Sequence, residues 1–137
     1  MINLKEHVQS PDDVMPVTAM CLMQPRGSTL IVGTETGYLA TFALTSGQFQ
    51  FKQVLRNDLQ APVHSICSIS KNLIAVGFKN TIQILSILRP NMPEVVHNVP
   101  EGGSVVGLAC NDKIMAIAID TQGVIFYDLI QNLEVSN

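Results

Sequence analysis

Short apolar runs separated by Gly, Pro, Asn and Ser make up most of this chain, and no stretch shows a sustained 3.6-residue apolar stripe. That rhythm predicts β-strands and no helix. The runs recur three times in the same order. The first set is Val17-Thr18-Ala19-Met20-Cys21, Leu30-Ile31-Val32-Gly33 and Leu39-Ala40-Thr41-Phe42. The second is Val63-His64-Ser65-Ile66-Cys67, Ile74-Ala75-Val76-Gly77 and Ile82-Gln83-Ile84-Leu85. The third is Val105-Val106-Gly107-Leu108-Ala109, Met115-Ala116-Ile117-Ala118 and Val124-Ile125-Phe126-Tyr127. Matched positions return at offsets of 46 and 42 (Val17, Val63, Val105) and of 44 and 41 (Gly33, Gly77, Ala118).

A repeat of roughly 40–45 residues with several strands per unit is the spacing of β-propeller blades. The expectation is therefore an all-β chain of three antiparallel four-stranded blades, at about 16–61, 62–103 and 104–137. Residues 1–15 stand outside the repeats. There Ile2, Leu4 and Val8 can form one spare strand before Ser10-Pro11-Asp12-Asp13 breaks it. In the first blade the outer strand is expected over Gln48 to Leu55, although Val54 falls out of phase with Phe49 and Phe51. Thr45-Ser46-Gly47 supplies the hairpin turn before it. In the second, Arg89-Pro90-Asn91-Met92-Pro93 reads as a rigid loop and Glu94 to Val99 as the fourth strand. Only a short fourth strand, or none, fits in the third blade after Asp128-Leu129.

These residues resemble the WD40-like propellers over roughly 16–129. In that family the third strand ends in a large aromatic followed by Asp. Here those places hold Phe42-Ala43, Leu85-Ser86 and Tyr127-Asp128, so the third repeat alone keeps the pair. The opening Gly-His dipeptide and the His–Ser–Asp–Trp network are absent. The likeness is to the degenerate class, found in coat, nuclear-pore and cleavage-factor scaffolds. It implies that blade-joining loops and the turns between second and third strands share one face. That face would present Arg56, Asn57, Asp58 and Gln60, with Glu35, Lys79 and Asp120. The opposite face would carry Arg26, Lys71, Asn111, Asp112 and Arg89, with Met92 as an apolar anchor between two prolines.

Composition narrows the function classes. Charged residues make up only 14% and the net charge is −3, with no basic run, which disfavours direct nucleic-acid binding. No apolar run approaches the ~18 residues of a membrane-spanning helix. The N-terminus lacks the apolar stretch of a signal peptide. Three Cys, an odd number without paired spacing, suit a reducing compartment, so cytoplasm or nucleus is the expected location. Cys21 and Cys67 occupy the same repeat position and Cys110 comes one place later. Equivalent positions on neighbouring blades are separated by a sheet spacing of about 10 Å, too far for one zinc ion with bonds of about 2.3 Å. All three are expected to be buried, reduced and metal-free. His64 and Cys67, three apart, fall on opposite faces of a strand and make no catalytic pair. No nucleophile elbow or phosphate loop is present, so neither an enzymatic activity nor a cofactor is expected.

Propeller rings usually need four to eight blades. Three leave an arc with two end faces uncovered. An end exposing ~500 Å² of apolar surface would forfeit on the order of 10 kcal/mol at ~25 cal/mol/Å². A second copy, a partner protein or further blades of a longer chain must therefore cover the ends. In the two-copy arrangement the Ile2, Leu4 and Val8 strand would close the neighbour's third blade. The function expected is a non-enzymatic scaffold or adaptor within a larger assembly. The alternatives are a ligand-binding or enzymatic propeller whose site forms only in the completed ring, with Thr18, His64, Ser65 and Ser68 as its polar candidates, or an excerpt of a longer scaffold.

Overall fold

The computed structural model describes residues 16–23, 28–56, 61–98, 103–130 and 133–135. Every regular element among them is a strand. Among the described residues twelve strands form three antiparallel sheets in which sequence neighbours pair. Sheet one contains β1 (Val17–Leu22), β2 (Thr29–Thr34), β3 (Leu39–Thr45) and β4 (Gln48–Arg56). Sheet two contains β5 (Ser65–Ser68), β6 (Leu73–Gly77), β7 (Thr81–Ser86) and β8 (Arg89–Asn98). Sheet three contains β9 (Val105–Cys110), β10 (Ile114–Ile119) and β11 (Gly123–Asp128), finished by a short β12 (Leu133–Val135). Ile2, Leu4 and Val8 lie outside the described residues, as do Asn57 and Asp58.

Local chemistry sets the strand pairings. Thr45 pairs with Gln48 across a two-residue loop in which Ser46 and Gly47 have φ of 52° and 81°. Positive φ at both central positions gives the turn whose twist matches that of paired strands. The phase slip at Val54 is a β-bulge. Phe51 pairs with Phe42 and Val54 with Ala40, so three steps on β4 oppose two on β3. Phe51 and Val54 thereby share a face.

The expected Arg89–Pro93 loop is corrected: these residues belong to β8, which starts at Arg89 and ends at Asn98. Ser86 pairs with Arg89 and Ile84 with Glu94, so five steps on β8 span two on β7. Proline donates no hydrogen bond, yet an outer strand has only one paired edge, and the irregular stretch holds Pro90 and Pro93.

Two apolar seams join the sheets. Met23, Ile31, Leu39 and Leu55 of sheet one pack with Ile66, Ile74, Val76 and Leu85 of sheet two. Cys67, Ala75 and Ile82 of sheet two pack with Met115, Ile117, Ile119 and Tyr127 of sheet three. Because side chains alternate along a strand, adjacent residues Ala75 and Val76 serve opposite seams. The first strands β1, β5 and β9 lie side by side, so the seams are closest there.

Candidate functional site

Each seam has a tight seat at the end of its second strand. A Cβ on Gly33 would lie 2.5 Å from Val63 Cγ1, and one on Gly77 would lie 3.1 Å from Val105 Cγ1. Glycine at these places lets the valine that opens the next sheet come close. Both valines are fully buried, and both are anchored: Val63 N donates to Thr34 O at 2.9 Å and Val105 N to Lys79 O at 3.0 Å. Thr18 Oγ1 also donates to Val63 O. That bond spends one of the polar groups expected at the ring axis on the sheet-to-sheet connection. Another, Ser65, buries its Oγ without a hydrogen-bond partner among the described residues.

Sheet three presents the matching place with nothing described against it. Its face away from sheet two holds Gly107, Ala109, Ala116, Ala118, Val124 and Phe126, by the pairings Ala116–Phe126, Ala118–Val124, Ala109–Ala116 and Gly107–Ala118. Val124 is 51% exposed and Ile114, on the same face, 40%. Val106, beside the bulge in the β9–β10 pairing, is 62% exposed. The outward face of sheet one is mixed: Val32, Ala40 and Phe42 are buried, while Met20, paired with Val32, and Leu22, paired with Leu30, are exposed.

The cysteines require a correction. Cys67 and Cys110 form a disulfide, with Cα atoms 6.2 Å apart, so they are not both reduced. Equivalent positions on neighbouring sheets do lie a sheet spacing apart. Cys110 is one residue later than the equivalent of Cys67, and one residue turns a side chain to the other face. Cys67 therefore points forward from sheet two, Cys110 points back from sheet three, and the two meet across the seam. Cys21 stays a thiol. It occupies the place of Cys67 one sheet earlier and meets Ser68, which holds the place of Cys110. Burial pushes the Cys21 thiol up, and a hydrogen bond from the Ser68 backbone partly opposes this. No cluster of three metal-ligating side chains occurs among the described residues.

Below the disulfide, a cleft of about 410 Å³ opens between sheets two and three, lined by Ser68, Ile69, Ser70, Lys71, Cys110, Asn111 and Asp112. Asn111 Oδ1 shapes its rim by accepting from Lys113 N at 2.8 Å and Ile114 N at 2.9 Å.

The loop residues singled out in the sequence are spread over both ends of the sheets. Glu35, Lys79 and Asp120 are exposed at the turns after β2, β6 and β10. Arg56 ends β4, and Arg89 is exposed at the start of β8, at the opposite end of its sheet from Lys79. Met92 lies inside β8 rather than on a loop. Asp120 serves the fold. Its carboxylate accepts from Ser104 N at 2.8 Å and Ser104 Oγ at 3.1 Å, which holds it below the usual carboxylate range. Pro16 and Pro62 stand where Ser104 does and have no N–H to donate. Sequence reasoning passed over two hairpin-tip residues, Leu88 at 71% and Ile130 at 70% exposure. An apolar residue at a polar turn was the available signal.

No family model matches this chain. Among the described residues no helix is long and apolar enough to cross a membrane.

Proposed function

We propose that the three sheets are blades of an open WD40-like propeller arc and that the chain is a non-enzymatic scaffold, which docks protein through the outward face of sheet three. The observation that carries this reading is the exposure of Val124 and Ile114 on the face that sheets one and two bury in their seams. Uncovered apolar sheet faces of this kind mark contact surfaces. The proposed occupant is a further β-sheet, because twice within this chain a sheet covers that face. A head-to-tail second copy would bring such a sheet. It would offer the outward face of its sheet one, where Met20 is 63% and Leu22 47% exposed beside the buried Val32 and Phe42. Ala118 further asks that the incoming strand carry something smaller than Val63 or Val105 at the seat.

A ligand site at the ring axis has less support, since Thr18 is engaged with Val63 O and Ser65 Oγ faces the Gly77 seat. The scaffold reading is tested by light scattering on the purified chain and on Val124→Glu. An uncovered face should drive association, giving masses above the 14.9 kDa of one chain, and the charge should return the variant to that mass. A wild-type chain that stays monomeric and stable at high micromolar concentration would contradict the reading.

A further inference from the structure

We propose that the Cys67–Cys110 bridge is a thiol-exchange site, opened and closed by a small soluble thiol that enters the cleft between sheets two and three. The two sulfurs are not equivalent. Cys67 is 8% exposed within the apolar seam. Cys110 is half-buried and lines the cleft. At about 410 Å³, the cleft falls in the size range of small-molecule sites. Lys71 and Asp112 bring opposite charges to its lining, so a thiol is admitted without selection by net charge. Attack comes from the cleft side, at Cys110.

The exchange is balanced in atoms and electrons. The incoming thiolate attacks Cys110 Sγ, the sulfur–sulfur bond breaks, and its electron pair leaves on Cys67 Sγ, which takes a proton from solvent. The products are a mixed disulfide on Cys110 and a thiol on Cys67. A second thiolate then attacks the outer sulfur of the mixed disulfide. Cys110 leaves as a thiolate and takes a proton, and the small thiol departs as its own disulfide. In the reverse direction Cys67, held with its Cα 6.2 Å from that of Cys110, is the resolving thiol that expels the adduct and restores the bridge. Both states fit the site. The reduced Cys110 S–H has an acceptor in Ser68 O, 3.1 Å from the sulfur, and a Cys67 thiol is a small hydrophobe in an apolar seam. Cys21 is the internal contrast, since it faces Ser68 where Cys67 faces a second sulfur. Reduction releases the covalent tie between sheet two and sheet three.

The test uses the full chain as wild type, Cys67→Ser and Cys110→Ser, with glutathione as the probe and intact and peptide mass as the readout. Air-oxidised wild type should carry one free thiol, at Cys21, and reduced glutathione should convert it to three. Oxidised glutathione should add once to Cys110 of Cys67→Ser, at least tenfold faster than to Cys67 of Cys110→Ser. If a serine variant does not fold, alkylation during partial reduction of the wild type decides the matter, and the trapped adduct should map to Cys110. Equal rates at both cysteines, no adduct at either, an adduct trapped on Cys67, or three free thiols after air oxidation would each overturn the proposal.

Discussion

The seam between sheets one and two and the seam between sheets two and three follow one plan and differ in how their first strands meet. Both seat a valine on a glycine, Val63 on Gly33 and Val105 on Gly77. Both bury aliphatic side chains from the second and third strands. At the first strands, however, the earlier seam sets Cys21 against Ser68, whereas the later one joins Cys67 to Cys110. The sheet-joining geometry is thus a property of the repeat, and the covalent tie is an addition to it. The same comparison extends to the ends. Val17 matches Val63 and Val105 in the repeat, but with no sheet described before it, it is 49% exposed. Ala118 matches Gly33 and Gly77 and has no valine described against it. Burial at these positions follows from the neighbouring sheet.

If the glycine seats are what let the sheets close, filling one should cause the largest loss. Gly33→Ala puts a Cβ 2.5 Å from Val63 Cγ1, and overpacking of this kind costs about 3 kcal/mol. Urea denaturation should show that loss, and adding Val63→Ala should recover part of it. Ala118→Gly should stay close to the small cost of a strand glycine.

Next in size is a change that makes the two seams alike. Ser68→Cys offers Cys21 the partner that Cys67 already has. A bridge should form on oxidation and stabilise the fold by about 2 kcal/mol, seen as a reducible rise in Tm. A pair that stays reduced under conditions that close Cys67–Cys110 would show that the first strands do not meet alike.

The smallest effect separates the entry into sheet three from the entries into the other two. Asp120 is held below its ordinary pKa by Ser104. Its contribution is therefore fully present above the unfolded value of about 3.9 and is lost as pH falls through the lower folded value. Asp120→Asn should lower Tm slightly at neutral pH, and the gap should close below about pH 3.

Much of this fold was legible because strands of alternating or continuous apolar residues, closed by Gly and Asn turns, leave a local mark. Ser46-Gly47 shows it, as does the return of Val17 at Val63 and Val105. What was missed depends on the third dimension. The Cys67–Cys110 pairing needed the one-residue offset of Cys110 to be read as a change of face. The placement of Arg89–Pro93 needed the knowledge that β8 has a free edge, where prolines and a bulge are tolerated. The glycine seats carried a repeat signal whose cause, a valine of the next sheet, appears only once the sheets are packed. As for the candidate site, exposed charges such as Glu35 and Lys79 were readable from turn chemistry. The proposed docking face was not, because Ala116, Val124 and Phe126 look the same in sequence whether covered or bare.

The proposal that the outward face of sheet three is covered in the working assembly is checked by the solvent access of that face. In a Cys21→Ala background, the rate of maleimide labelling would be measured for Val124→Cys and for Lys52→Cys, an exposed site on sheet one. The measurement is made on the dilute purified chain and again in intact cells. The account predicts fast labelling of both sites in the purified chain and, in cells, at least tenfold protection of position 124 with none at position 52. Equal labelling of position 124 in both settings would contradict it.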